Sequence, residues 1–88
     1  MKFFDLDVVR PLVVKAGISV GEIGTVVYVY STPHEAYMVE FCDDNGVTIE
    51  MPDYLPEELE LYEGYTSPYR NGISVNFGVS QVTEPAFN

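Results

Sequence analysis

The sequence predicts a small all-β barrel of five short strands, and three observations carry that reading. β-Branched and aromatic residues cluster in short runs separated by Gly, Pro and Asn-Gly turns. No apolar stretch keeps the helical period of about 3.6 residues for longer than one turn. A chain of 88 residues can bury only about 64% of its extended surface, enough for one modest core. Closing such a sheet on itself removes exposed strand edges, which favours a barrel over an open sheet.

The elements follow in order. Asp7 to Arg10 reads as the first strand, built around Val8 and Val9 and closed by Pro11, because proline cannot donate to a central ladder. Leu12-Val13-Val14 can continue it past a bend. Residues 16–24 hold Gly17, Gly21 and Gly24, the pattern of a loop with tight reversals. Thr25 to Tyr30 is composed entirely of β-branched and aromatic residues and is the clearest strand. Residues 31–35 supply a turn, after which Tyr37, Val39 and Phe41 alternate with Met38 and Glu40 and should share one face. Asp43-Asp44-Asn45-Gly46 reverses the chain, and Asn-Gly predicts a type I′ hairpin turn in which both central residues take positive φ. Val47, Ile49 and Met51 are then expected on the core face, with Thr48 and Glu50 on the wet one. Pro56 followed by Glu57 and Glu58 fits a single helical turn with acids at its positive end. Glu60-Leu61-Tyr62 closes the fifth strand. Beyond it, Ile73-Ser74-Val75-Asn76-Phe77 alternates after an Arg70-Asn71-Gly72 turn, which predicts an added strand. The expected organisation is a barrel over residues 1–63 and a C-terminal extension over 64–88 that folds back on it.

Several of these segments resemble a known pattern. Asp7-Val8-Val9, the run Gly21-Glu22-Ile23-Gly24-Thr25-Val26-Val27, Tyr37-Met38-Val39-Glu40-Phe41, then Asp43, Gly46, Thr48 and Leu55-Pro56-Glu57-Glu58-Leu59-Glu60 are similar in order and spacing to the KOW-type, SH3-like barrels. Over residues 5–62 the chain looks closest to a small uncharacterised bacterial family of that type. The resemblance implies an SH3-like five-stranded barrel, to which the residues beyond it add the expected C-terminal strand extension. It implies no activity, since one fold hosts many functions, although KOW-like barrels often bind RNA or ribosome-associated proteins.

Charge argues against that last use. Fourteen Asp and Glu stand against four Lys and Arg, a formal charge of −10. From Ala16 to Tyr69 there is no Lys or Arg, while the same stretch holds Glu22, Glu35, Glu40, Asp43, Asp44, Glu50, Asp53, Glu57, Glu58, Glu60 and Glu63. Such a surface repels a phosphate backbone, whose binding rests on Lys and Arg releasing counterions. Direct nucleic-acid binding is not expected. No apolar run approaches the roughly 18 residues of a membrane span, and the single Cys42, with apolar Phe41 and Val39 beside it, suits a reduced thiol, so a cytoplasmic location is expected.

The inventory for catalysis is thin. His34 is the only imidazole and lies in a turn, and Gly21-Glu22-Ile23-Gly24 lacks the Lys of a phosphate-binding loop. No enzyme activity and no cofactor are expected. Asp43-Asp44-Asn45-Gly46 lacks the acid spacing of a calcium loop, and one Cys with one His does not make a zinc site.

What remains is the density of carboxylates. Asp53, Glu57, Glu58, Glu60 and Glu63, with Asp43, Asp44 and Glu50, are expected to form a negative surface that docks a basic protein partner such as a nuclease. Covering its nucleic-acid cleft would inhibit it by charge mimicry, as an immunity, antitoxin or anti-defence protein does; complementary charge speeds association and suppresses wrong partners. Tyr62, Tyr65 and Tyr69 are candidate interface anchors, because tyrosine adds contact area at low entropic cost. Two alternatives accompany this expectation: a structural accessory subunit or homo-oligomer held by the Tyr-rich tail, and a calcium-binding module. The sequence leaves the oligomeric state open.

Overall fold

The computed structural model describes residues 2–62. The sequence supplies six strands, β1 (Val8–Pro11), β2 (Gly24–Tyr30), β3 (Ala36–Cys42), β4 (Thr48–Glu50), β5 (Asp53–Tyr54) and β6 (Leu59–Leu61), with one 3₁₀ turn at Pro56–Glu58. Every pairing is antiparallel. The order is β4-β3-β2-β1-β6, and β5 pairs with β3 beside β4. The fold is therefore all-β and fits an SH3-like barrel in which the first strand pairs with the last, although the described sheet is not closed. The strand beyond the expected five is β5. The expected strand at 73–77 and the extension over 64–88 lie outside the described residues. Among the described residues no helix is long and apolar enough to cross a membrane.

Strand β3 organises the core. The alternation read from the sequence holds, with Tyr37, Val39 and Phe41 buried on one face. Around them pack Phe3, Val9, Ile18, Val26, Tyr54 and Leu59, with Val13, Val29 and Leu61 at the margin. The Tyr37 hydroxyl accepts the backbone N–H groups of Lys2 (3.0 Å) and Phe3 (3.1 Å) and donates to Glu35. Its ring meets Phe3 edge to face at 5.1 Å. One tyrosine thus ties the N-terminal segment to the middle of the sheet. Asp7, fully buried, accepts the Phe4 N–H through its carboxylate, and its backbone carbonyl accepts Val26 N–H, joining that segment to β2.

Four expectations need correction. Gly24 is not a loop glycine but opens β2, where a Cβ would stand 2.6 Å from Val39 Cγ1 and 2.7 Å from Phe41 Cε1. The core closes on bare backbone there. The β3–β4 turn is not type I′, since Gly46 alone takes positive φ. Gly46 N–H bonds the Asp43 carbonyl and Asp43 N–H bonds the Val47 carbonyl, which makes a three-residue loop. The Asp43 carboxylate stabilises that geometry by accepting the Asn45 and Val47 amides. Val47, Ile49 and Met51 are exposed, not buried. Phe41 pairs with Glu50 but Cys42 with Thr48, so Ile49 is an extra residue that breaks the period of two. Leu12-Val13-Val14 adds no strand; β1 ends at Pro11, and only Val13 of the three packs on the core.

Two outcomes test this packing. Tyr37→Phe leaves the buried Phe3 amide without its acceptor and should cost about 1–3 kcal/mol, whereas Tyr54→Phe removes a buried hydroxyl that has no partner among the described residues and should be neutral or stabilising. Equal losses in urea unfolding would refute the assignment. Gly24→Ala should destabilise by about 1–3 kcal/mol through overpacking against Val39 and Phe41; an unchanged unfolding midpoint would show that the core yields there.

Candidate functional site

Strand β2 has no polar residue after Thr25, so one of its faces must present apolar side chains to the outside. A bulge decides which. Val26 pairs with Val39 and Tyr28 with Met38, which leaves Val27 as the extra residue. Strict alternation from buried Val26 would send Tyr28 and Tyr30 inward. The bulge instead puts Val29 on the core and pairs Tyr28 with Met38 and Tyr30 with Ala36, opposite the buried row of β3. Bulges are a common way to re-aim side chains beside functional sites. Here two of them, at Val27 and Ile49, flank β3.

The result is an apolar outer face. Val27, Tyr28, Tyr30, Met38 and Met51 line a shallow groove of about 500 Å³. Tyr28 and Met51 are 56% and 48% exposed, more than large apolar side chains in a settled core would be. The Tyr28 and Tyr30 rings meet edge to face, 4.9 Å apart. Tyr30 also lines a second depression, of about 280 Å³, with Lys15, Pro33, His34, Asp53, Tyr54 and Leu55 among its walls. The two depressions therefore make one surface running along β2, β3 and β5. Asp53 borders it with Tyr30, whose hydroxyl is held above its ordinary pKa by desolvation first and by the Asp53 charge second.

The expected acidic residues fall in two stretches that meet at Lys15, whose Nζ bonds both the Asp53 carbonyl and the Glu58 carboxylate. Asp43, Asp44, Glu50 and Asp53 follow the hairpin tip and the β4–β5 edge, while Glu57 and Glu58 lie in the 3₁₀ turn and Glu60 on β6, at the other end of the strand order. Several of them serve the fold. Asp43 caps its turn. Glu58 accepts Leu55 N–H and Lys15 Nζ, both at 2.8 Å. Glu60 pairs with Arg10 at 3.1 Å. Asp44, Glu50 and Glu57 are exposed, and their carboxylates carry no hydrogen bond or ion pair among the described residues. Tyr62 is half-buried beside Arg10, whose guanidinium lies 5.5 Å from its ring. Glu63, Tyr65 and Tyr69 lie outside the described residues.

All three described cations are engaged: Lys2 on the Pro56 carbonyl, Arg10 on Glu60, and Lys15 on Glu58 and the Asp53 carbonyl. The carboxylates of Asp44, Glu50 and Asp53 form no ion pair with any of these, although Lys15 reaches the Asp53 backbone carbonyl. Among the described residues no three His, Cys, Asp or Glu side chains gather to hold a metal ion, and Cys42 is free and exposed. Sequence reasoning missed Tyr28, Tyr30, Met38 and Met51. The signal for them was the surplus of apolar residues in β2, more than one buried face can absorb.

Residues 5–61 match the sequence model of a family described as Domain of unknown function (DUF4926). No curated protein and no solved structure matches the chain.

Two of the carboxylates held by the fold, Glu58 and Glu35, give an acid dependence. Glu58 is lowered from its ordinary pKa chiefly by the hydrogen bond from Lys15, and Glu35 chiefly by that from Tyr37. A depressed folded value means stability that is present above the unfolded glutamate value of about 4.3 and lost as pH falls through the folded one. Urea midpoints should therefore drop below that pH, and Glu58→Gln should lower stability at neutral pH while flattening the acid slope. A variant with the parent's slope would show that Glu58 is not held this way.

Proposed function

The chain belongs to the family described as Domain of unknown function (DUF4926), and we propose, from its surface, that it is a non-enzymatic module that binds a basic protein. The supporting observation is the aromatic and methionine face of exposed Tyr28 and Met51 with half-buried Tyr30 and Met38, bordered by the Asp53 carboxylate, which pairs with no described cation. Contiguous exposed apolar surface on a small domain marks an interaction site, and a charged border selects partners of opposite sign. With a formal charge of −10, a nucleic-acid ligand is repelled, while a protein that handles nucleic acid presents the complementary sign. The specific form of the proposal is a KOW-type barrel that inhibits such a protein by occupying its cleft, in an immunity, antitoxin or anti-defence role.

A second reading has its own observation. Val47, Ile49 and Met51 are exposed at the described open edge of the sheet, and apolar edges support strand-to-strand self-association. That reading predicts assembly indifferent to salt. The calcium-binding alternative gains no support, because the Asp43 carboxylate already accepts two turn amides.

Capture of a partner from a cell extract, followed by titration of the purified pair at low and high salt, separates the two. The basic-partner reading expects binding that weakens steeply with salt, and association slowed about tenfold or more by the double reversal Asp44→Lys, Glu50→Lys. Both side chains are exposed, so the fold should persist. A partner held equally well in high salt and by the double variant would overturn the proposal and favour apolar association.

A further inference from the structure

We infer that the Tyr28–Tyr30 ring pair, with the Asp53 carboxylate beside it, receives an arginine side chain of the basic partner. The flanking apolar residues of that segment would lie on Met38 and Met51. The inference rests on the reading above and names its anchor.

Four observations converge. The rings are 4.9 Å apart with planes at 68°, so they do not cover one another face to face, and Tyr28 remains 56% exposed. The cross-strand row Tyr28–Met38–Asp53 sets an aromatic ring, an apolar floor and a carboxylate side by side, and Tyr30 stands next to the carboxylate. That is the combination a guanidinium uses, since it stacks on aromatic faces while donating in a fixed fork to a carboxylate.

The chain already employs this chemistry with its own cations. Lys2 lies 5.3 Å from the Phe3 ring centre, Arg10 5.5 Å from Tyr62 and Lys15 5.0 Å from Tyr54. Lys15 does so beside Asp53 itself, bonded to its backbone carbonyl at 2.9 Å. Among the described residues no cation lies over exposed Tyr28 or half-buried Tyr30. A second copy of the chain is a poor occupant, because it would bring a net charge of −10 to an acidic surface. Charge complementarity therefore selects a cationic partner, and the ring pair selects arginine within it.

The test uses the full chain, isotope-labelled, titrated with an acetylated peptide amide of sequence GLRLRG and with the same peptide carrying citrulline, a neutral isostere, in place of arginine. Amide shifts are expected to centre on Tyr28, Tyr30, Met38 and Asp53, with the arginine peptide bound about tenfold more tightly. Tyr28→Ala should weaken it about two- to fivefold, Tyr28→Phe should leave it unchanged, and Asp53→Asn should weaken the arginine peptide alone. Equal binding of the citrulline peptide would overturn the inference. So would shifts centred on Asp44, Glu50 and Glu57 that ignore Tyr28→Ala, an outcome that leaves the basic-partner reading standing. No shift with either peptide at low salt would overturn both.

Discussion

The structure depends on one strand being able to bury three large side chains on one face. Strand β3 carries Tyr37, Val39 and Phe41 into the core and pairs with β2 along one edge and with β4 and β5 along the other. Tyr37 adds a polar function to that role. Its hydroxyl satisfies two backbone amides of the N-terminal segment and reaches Glu35, in a place where an unsatisfied amide would be costly. The requirement propagates to Gly24, because a strand can cross Val39 and Phe41 at that distance only without a Cβ.

The outer surface is a consequence of the same pairing. An antiparallel partner on each edge of β3 fixes which side of β2 and β4 faces inward, and each neighbour contains one residue more than the register accommodates. The extra residues, Val27 and Ile49, turn Tyr28, Tyr30 and Met51 away from the core. A fold that needed only stability would place polar residues there. Apolar ones at these positions are what supports an interaction role.

Net charge overstates the acidic surface as a docking feature. Asp43 caps a turn, Glu58 closes the 3₁₀ turn and binds Lys15, and Glu60 is paired with Arg10. Such carboxylates are held by the fold and are screened where they are exposed. The uncompensated charge that can steer a partner is narrower, and part of it borders the aromatic face.

The amino-acid sequence by itself determined the all-β class, the strands around Val8–Val9, Thr25–Tyr30 and Tyr37–Phe41, the turn at Asp43–Gly46, the helical turn at Pro56 and the sign of the surface. These depend on local residue types, on a period of two and on counting charges. Tertiary pairing decided the rest. The inward alternation expected of Val47, Ile49 and Met51 failed because a bulge is set by the partner strand's register, which no local pattern encodes. The same holds for Tyr28 and Tyr30: their residue type was legible as β-forming, but which side they face was settled only when Val26 met Val39 and Tyr28 met Met38.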